Sequence, residues 1–303
     1  MIKKQFTIQS DFDGLELHAC VFEPDGEKKA VLQILHGMGE FKERYESFME
    51  YFCANGFVVV CHDHRGHGDS VKEPADRGYF YELSGRAVVE DAALITRRMK
   101  NDYPNLKVYL FGHSMGSMIA RCYLENYDML IDKLIVCGSP SKNPLAGTAV
   151  ALEKCIRLFR GARHRSKLLS YLSTGKGNKK FPGEEKGAWL SKNRESIVAF
   201  YTHEKGKHGF TCNGYENLFK LMKRTYQKKG YKVKNPTLPI HFIAGGDDPV
   251  IVNEKQWQNA MEFLRKVGYE RVTGKLYEGL RHEVFHDIGK EEVLLDMLAF
   301  FNA

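Results

Sequence analysis

The chain has 303 residues, 43% of them hydrophobic and 27% charged, which is ordinary for a soluble globular protein and long enough to fold without disulfides or metal ions. No stretch approaches the ~18 apolar residues of a membrane span, and the first residues lack the apolar run of a secretory signal. Seven scattered cysteines, none in a C-x-x-C pair, indicate free thiols, so we expect a cytoplasmic protein.

The first half of the chain alternates strand and helix patterns. Residues 4–10 and 15–22 predict two strands joined at Asp13-Gly14, a hairpin signal. Apolar runs predict further strands at 30–35, 57–61, 107–111 and 133–137. Helical spacing of apolar residues predicts helices over 44–53 and 85–99. Strands that alternate with helices imply a mostly parallel sheet with helices on both faces, an α/β fold.

This alternation stops at Ser139-Pro140. Helical patterns then cover residues 149–160, 196–203 and 215–227, without a buried-strand run. Strand patterns return at 239–244 and 271–277, followed by helical patterns over 252–267 and at the carboxyl terminus. We therefore predict a core made of residues 1–140 and 235–303, with a helical lid, residues 141–234, inserted after the sixth strand.

The sequence Gly112-His113-Ser114-Met115-Gly116 carries the strongest chemical signal. It lies between a predicted strand and a predicted helix, the context of a nucleophile elbow. A serine hydroxyl needs a neighbouring base, normally a histidine that a carboxylate orients. Asp248 and His282 follow predicted strands in the chain order Ser, Asp, His, so we predict these three as catalytic residues.

Further motifs give the chain a resemblance to a known family. It resembles the α/β-hydrolases of the monoacylglycerol lipase and bacterial lysophospholipase group. The motifs that carry the resemblance are His36-Gly37-Met38-Gly39-Glu40, Arg44-Tyr45, Asp63-His64-Arg65-Gly66-His67-Gly68-Asp69-Ser70, the serine motif, residues 245–250 and residues 279–282.

The resemblance implies an oxyanion hole formed by the backbone N–H groups of Met38 and Met115. A glycine on each side of Met38 and the helix that begins at Met115 agree with this role. The resemblance also implies that Glu40 and Arg44 contact the polar headgroup on the alcohol side of the substrate. No cofactor is expected.

Two neighbours compete for the catalytic roles. Asp247 could replace Asp248, but the spacing from Gly245 favours Asp248. His286 could replace His282, but it comes one helical turn later, where we expect a surface histidine.

Three patterns invite other interpretations. Residues 282–286 match the zinc-protease pattern H-E-x-x-H, but no third histidine follows. The cluster His62, Asp63, His64, His67 and Asp69 resembles a metallo-hydrolase loop, for which the resemblance implies a structural role. Gly175-Lys176-Gly177 follows no strand, so we expect a lid turn rather than a phosphate loop. We predict no metal site.

The predicted lid combines positive charge with aromatic residues. Residues 141–238 contain 22 Lys and Arg against 6 Asp and Glu, although the net charge of the chain is only +7. Aromatic and aliphatic residues of this segment, such as Trp189, Phe200 and Phe210, can pack the lid or line an acyl-chain site. The charge suggests contact with anionic lipid, with a solvated basic face as the alternative, and no nucleic-acid motif occurs.

We therefore expect a serine hydrolase that cleaves esters of single-acyl-chain lipids, a monoacylglycerol or a lysophospholipid, through an acyl-enzyme. The alternatives are a serine peptidase of the proline iminopeptidase kind and a broad short-chain carboxylesterase. A ligand receptor without catalysis is a third interpretation, which the intact Ser, Asp and His set disfavours.

Overall fold

The computed structural model describes residues 1–175, 177–206 and 208–303. The strands are β1 Ile2–Gln9, β2 Glu16–Glu23, β3 Ala30–Leu35, β4 Phe57–His62, β5 Lys107–His113, β6 Lys133–Cys137, β7 Ile240–Gly245 and β8 Val272–Tyr277. The helices are α1 Glu46–Ala54, α2 Ala87–Asp102, α3 Met115–Tyr127, α4 Ala146–Arg160, α5 Lys167–Ser173, α6 Arg194–Thr202, α7 Cys212–Thr225, α8 Glu254–Val267 and α9 Lys290–Asn302.

Within the described residues, eight strands form one sheet in the order β1-β2-β4-β3-β5-β6-β7-β8. The β1–β2 hairpin is antiparallel, and β2 pairs antiparallel with β4. All remaining pairs are parallel, from β4–β3 to β7–β8. The predicted mostly parallel sheet is therefore confirmed, and the carboxyl ends of β5, β7 and β8 meet at one edge.

Both faces of the sheet are covered, which explains the apolar strand runs. Along β3, Val31 and Leu35 pack into the core on one face, whereas Leu32 and Ile34 pack into the core on the other. Helices α2, α3 and α8 contribute to the first core, and α1 and α9 to the second. The strands are therefore buried between two hydrophobic cores, and the loops that follow them start from this buried sheet.

The segment between β6 and β7, residues 138–239, is called the insertion here. It contains α4–α7, and α4 packs against α7. Helix α5, which no sequence pattern predicted, is only seven residues long. It begins where the Ser166 side chain accepts a hydrogen bond from the Leu169 amide. The division into a core and a separate lid at residues 141–234 stays a prediction.

No helix in the described part of the chain is long and apolar enough to cross a bilayer.

Candidate active site

Ser114 occupies a sharp turn between β5 and α3. Its backbone has φ 53° and ψ −113°, in the left-handed half of conformational space that non-glycine residues seldom adopt. The Ser114 N–H donates a 2.9 Å hydrogen bond to the Cys137 carbonyl at the end of β6, which anchors the turn to the sheet. Such local strain is typical of a functional site.

The two glycines of the serine motif are required by close packing. A Cβ on Gly112 would lie 2.5 Å from the Gly116 carbonyl oxygen, and one on Gly116 would lie 2.0 Å from the Leu35 oxygen. Neither glycine has a positive φ. Their role is therefore to let α3 approach β5 and β3, while Ser114 itself takes the strained conformation.

His282 and Asp248 are joined directly, although 34 residues separate them. The Nδ1 atom of His282 lies 2.9 Å from Oδ2 of Asp248, and the other Asp248 oxygen accepts the Val250 N–H at 2.8 Å. Asp247 is instead partly exposed and faces Lys180 at 3.9 Å. The structure therefore brings Asp248, and not its neighbour, to the imidazole.

The surroundings of His282 stabilise its charged form. The ring is fully buried, which lowers its pKa, but the attraction and hydrogen bond of Asp248 outweigh this effect, so the pKa is raised above 6.5. An imidazole with this carboxylate on Nδ1 has Nε2 free to accept a proton. This is the arrangement that a general base requires.

Neighbours of Ser114 lie close to the His282 ring. The Ser114 amide binds the carbonyl of Cys137, and Gly138 is the next residue in the chain. A Cβ on Gly138 would lie 3.1 Å from the His282 ring. The ring of His113 lies 4.7 Å from that of His282. Within the described residues, the Ser114 hydroxyl makes no hydrogen bond, and a catalytic hydrogen bond often tightens only when substrate binds.

The two amides predicted as an oxyanion hole flank Ser114. The Met115 amide belongs to the first residue of α3, so it has no acceptor within its helix. The loop before Met38 approaches the serine closely, since a Cβ on Gly37 would lie 3.3 Å from the Ser114 Cβ. In the part of the chain that the structure describes, the Met38 amide donates no hydrogen bond, so both donors are available.

Glu40 and Arg44 are brought together inside the protein. Arg44 contacts Glu40 and also donates to both oxygens of Glu283, each at 2.9 Å. The second oxygen of Glu40 accepts the Gly37 N–H at 2.6 Å and the Tyr45 hydroxyl at 2.8 Å. This buried network ties the loop around Met38 to the loop that carries His282. The predicted headgroup contact of Glu40 and Arg44 stays a prediction.

Glu283 belongs to this network, although no sequence pattern predicted a role for it. Burial opposes its ionisation, but Arg44 lowers its pKa below the ordinary value. The pairing could not be inferred because 239 residues separate the two side chains. The only local signal was the position of Glu283 directly after the predicted catalytic histidine.

The expectation that His286 is a surface residue is wrong. Its exposed fraction is 8%, because the ring packs against Tyr45 and Phe285. Burial lowers the pKa of His286 to about 4. The segment from His282 to His286 forms turns rather than the helix that a zinc-protease motif needs.

The histidine-rich loop after β4 packs internally. The rings of His36 and His64 lie 4.1 Å apart, and Asp63 pairs with the buried Lys42 ammonium at 2.8 Å. Lys42 also pairs with Asp69 at 2.5 Å. Among the described residues, no group of three or more potential ligands is arranged to hold a metal ion.

Part of the insertion lies against the site. The Trp189 ring is 5.1 Å from that of His282, and the Leu190 carbonyl accepts the Glu283 N–H at 2.7 Å. The Phe200 ring lies 4.6 Å from the Arg44 guanidinium. The turn predicted at residues 175–177 includes Lys176, which lies outside the described residues.

Comparisons with known proteins identify the family of the chain. A family model described as "Serine aminopeptidase, S33" matches residues 26–289. A monoacylglycerol lipase of Mycolicibacterium smegmatis is 27% identical over 288 residues, 95% of this chain and 93% of that protein. A monoglyceride lipase of Homo sapiens is 37% identical over 108 residues, 36% of this chain and 34% of that protein.

A solved structure shows that the fold is also similar over the whole chain. A carboxyl esterase of Bacillus coagulans in complex with glycerol has a TM-score of 0.89 at 25% identity, over 100% of this chain and 98% of that one. The resemblance to the monoacylglycerol lipase and lysophospholipase group is thus confirmed. We conclude that the chain is a member of the serine aminopeptidase S33 family and has the α/β-hydrolase fold.

Proposed function

We propose that the protein is a serine hydrolase that cleaves carboxylic esters of single-acyl-chain lipids, a monoacylglycerol or a lysophospholipid. The observation that carries the proposal is the strained Ser114 turn, where the ring of the preceding residue, His113, packs 4.7 Å from that of His282, which Asp248 binds. Relatives named monoacylglycerol lipase and probable lysophospholipase L2 support the substrate class.

The proposed reaction follows from this arrangement. Nε2 of His282 accepts the Ser114 proton as Oγ attacks the ester carbonyl, and the imidazolium that forms is stabilised by Asp248. The amides of Met38 and Met115 stabilise the oxyanion. The imidazolium then protonates the leaving alcohol, which gives an acyl-enzyme. A water molecule deprotonated by His282 releases the acid by the same steps.

Aromatic side chains of the insertion support an acyl substrate. Trp189 lies beside the catalytic imidazole, and Phe200 lies over Arg44 and near Gly39. They supply apolar surface next to the reacting groups, as a hydrocarbon chain requires. In this proposal residues 141–234 act as a lid, and Glu40 and Arg44 lie on the alcohol side.

A serine variant tests the chemistry. Ser114→Ala should abolish turnover of a p-nitrophenyl ester and of monoacylglycerol, since the nucleophile is lost, without lowering the melting temperature. Ser47→Ala, an exposed serine on α1, is the control and should behave as wild type. A fluorophosphonate probe should label Ser114, as peptide mass spectrometry would reveal. Ester turnover near the wild-type rate in Ser114→Ala would refute the proposal.

The description of the family favours a peptidase as the second candidate. An aminopeptidase needs an anionic group that binds the substrate amine. Near the site, Glu40 and Glu283 are already paired with Arg44, which leaves less negative charge for an amine. Parallel assays with a fluorogenic proline amide, short-chain esters and monoacylglycerol would separate the candidates. The main proposal expects the highest kcat/KM with monoacylglycerol or lysophospholipid.

We further propose that the insertion contacts anionic lipid surfaces. Leu158 and Phe159 at the end of α4 are 80% and 82% exposed, and α5 exposes Leu168 and Leu172 one turn apart. Basic residues accompany them in an insertion with a large excess of positive charge. Exposed apolar residues with surrounding cations favour binding to an anionic interface.

Vesicle binding tests this contact. The wild-type protein should co-sediment with vesicles that contain phosphatidylglycerol more than with phosphatidylcholine alone, and salt should weaken the binding. Leu158→Ser/Phe159→Ser should reduce binding several-fold, since two apolar anchors are lost. Leu295→Ser on α9, an apolar residue outside the insertion that is 61% exposed, is the control. Equal binding by both variants would contradict the proposal.

A cytoplasmic location belongs to the same proposal. It is supported by the cysteines, each of which is free in the described part of the chain, and all but Cys155 are buried.

A further inference from the structure

His36, the residue before the predicted oxyanion loop, has a defined tautomer. Its Nε2 lies 3.0 Å from the His64 backbone N–H, which can only donate, so Nε2 accepts. The proton must therefore be on Nδ1, which donates a 2.8 Å hydrogen bond to the Gly37 carbonyl. Complete burial lowers the pKa of His36 to about 4, so the ring stays neutral near pH 7.

The carbonyl that His36 binds shares a peptide unit with the Met38 N–H. In a planar trans peptide these two groups point in opposite directions, so fixing the oxygen also fixes the direction of the N–H. The Glu40 N–H donates to the same Gly37 oxygen at 3.3 Å and closes a turn in which Gly39 has φ +73°. Hydrogen bonds from His36 and Glu40 to the Gly37 oxygen therefore hold the peptide between residues 37 and 38.

The need for such a restraint follows from the loop sequence. Gly37 and Gly39 flank Met38, and glycine leaves its neighbouring peptides freer to rotate than other residues do. A rotated Gly37–Met38 peptide would place a carbonyl oxygen where the developing oxyanion needs a donor. The Gly37 backbone lies close to Ser114, so such a rotation would act at the reacting atoms.

We propose that His36 is a positioning residue that fixes the Gly37–Met38 peptide with the Met38 N–H directed to the oxyanion. This inference rests on the proposed ester hydrolysis. His36 acts through the peptide and does not touch substrate. Its removal should therefore lower kcat, which depends on the transition state, and leave KM nearly unchanged.

Two substitutions separate the two hydrogen bonds of His36. In His36→Asn the amide nitrogen can take the place of Nδ1 and keep the bond to Gly37. In His36→Gln the longer side chain places its amide near the position of Nε2, which keeps the contact to His64 and loses the bond to Gly37. Both variants remain polar and fit a site built for an imidazole, so they compare the two contacts at similar cost to folding.

His67 supplies a matched control. It is also buried, its ring lies 5.1 Å from that of His36, and its Nδ1 contacts the Arg65 carbonyl at 3.1 Å. It makes no hydrogen bond to the Gly37–Met38 peptide among the described residues. His67→Leu therefore measures the effect of removing a buried histidine from the same cluster without touching the oxyanion loop.

The experiment compares kcat and KM of the full chain on a p-nitrophenyl ester and on the matching thionoester. Loss of one oxyanion donor typically costs about 10²–10³-fold in kcat, and a misdirected donor should cost on the order of tenfold to a hundredfold. We expect this loss in His36→Gln, with KM within about twofold. His36→Asn should keep most of the wild-type kcat, and His67→Leu should keep it as well.

The thionoester gives a readout that a general loss of stability would not change. Sulfur accepts hydrogen bonds weakly, so an intact oxyanion hole favours the oxygen ester. The ratio of oxygen-ester to thionoester kcat should fall in His36→Gln and stay at the wild-type value in His67→Leu. Wild-type kcat in His36→Gln, or equal losses in the Asn and Gln variants, would overturn the inference. A wild-type protein without esterase activity would refute the proposed function as well.

Discussion

At the scale of single residues, the buried Asp248–His282 pair determines how activity depends on pH. His282 acts as a base only in its neutral form, and its pKa is raised above 6.5 because Asp248 outweighs the effect of burial. We predict that kcat/KM increases with pH through a midpoint above 6.5. Initial rates with a neutral ester across pH 5–9 measure the midpoint, and a value at or below 6.5 would contradict it.

Substitution of the carboxylate gives a second prediction at this scale. Asp248→Asn should reduce kcat by about 10⁴-fold, since the amide no longer stabilises the imidazolium or fixes its tautomer. The midpoint for the remaining activity should move to lower pH because the attraction is lost. Asp247→Asn, next in the chain but partly exposed, is the control and should change neither value.

At the scale of secondary-structure elements, a pair of carboxyl groups joins α4 to α7. Burial raises the pKa of Glu153 to about 7, and the nearby Glu216 carboxylate adds to the effect. Arg157 contacts both side chains, at 3.2 Å and 3.0 Å, and compensates only in part. The two helices are therefore held most firmly when Glu153 carries a proton.

This pair gives the packing of α4 on α7 a defined pH dependence. Between the ordinary pKa of 4.5 and about 7, the folded protein binds more protons at Glu153 than the unfolded chain does, so stability falls as pH rises. Glu153→Gln should raise the melting temperature at pH 8 by about 2 °C or more and have little effect at pH 4.5. Glu262→Gln on the exposed face of α8 is the control. Equal shifts of the melting temperature of Glu153→Gln at pH 4.5 and pH 8 would contradict this pH dependence.

At the scale of the whole molecule, Arg65 connects three separate parts of the fold. Its fully buried guanidinium donates to Asp91 on α2 at 2.7 Å and to Asp13 in the β1–β2 turn at 2.9 Å. These contacts hold the hairpin and α2 to the loop after β4. One side chain thus fixes elements that are distant in the sequence.

Removal of this arginine should be costly. Arg65→Met leaves the buried Asp91 without its cation, and we predict a loss of about 3–5 kcal/mol in the free energy of unfolding. Arg98→Met breaks an exposed pair with Asp102 and should cost at most about 1 kcal/mol. Urea unfolding followed by circular dichroism compares the two variants. Similar losses would show that burial does not govern the contribution of these pairs.

The fold was predictable because its signals are local. The apolar runs of β3 and β4 are long because both faces of the sheet are covered, and the motif around Ser114 specifies strand, turn and helix within a few residues. Ser114, Asp248 and His282 each follow a strand, and these strands end at one edge of the sheet. Apolar runs and the local motif were therefore sufficient to predict these strands and the turn at Ser114.

The remaining parts depend on contacts between distant residues. The Arg44–Glu283 pair spans 239 residues, and the burial of His286 depends on Tyr45 from another loop. The direction of the Gly37–Met38 peptide depends on a ring tautomer that the His64 amide selects. No periodicity or spacing in the sequence reports such contacts, so they were found only in three dimensions.

The segment from Trp189 to Lys205 has a consequence for control of the enzyme. It contacts the loop of His282 at one end, and at the other Lys205 pairs with Glu43 and Asp69. Under the proposed lid function, this stretch would control both the entry of a ligand and the position of the His282 loop. A compound that binds between this stretch and the core should therefore inhibit the protein without reacting with the nucleophile.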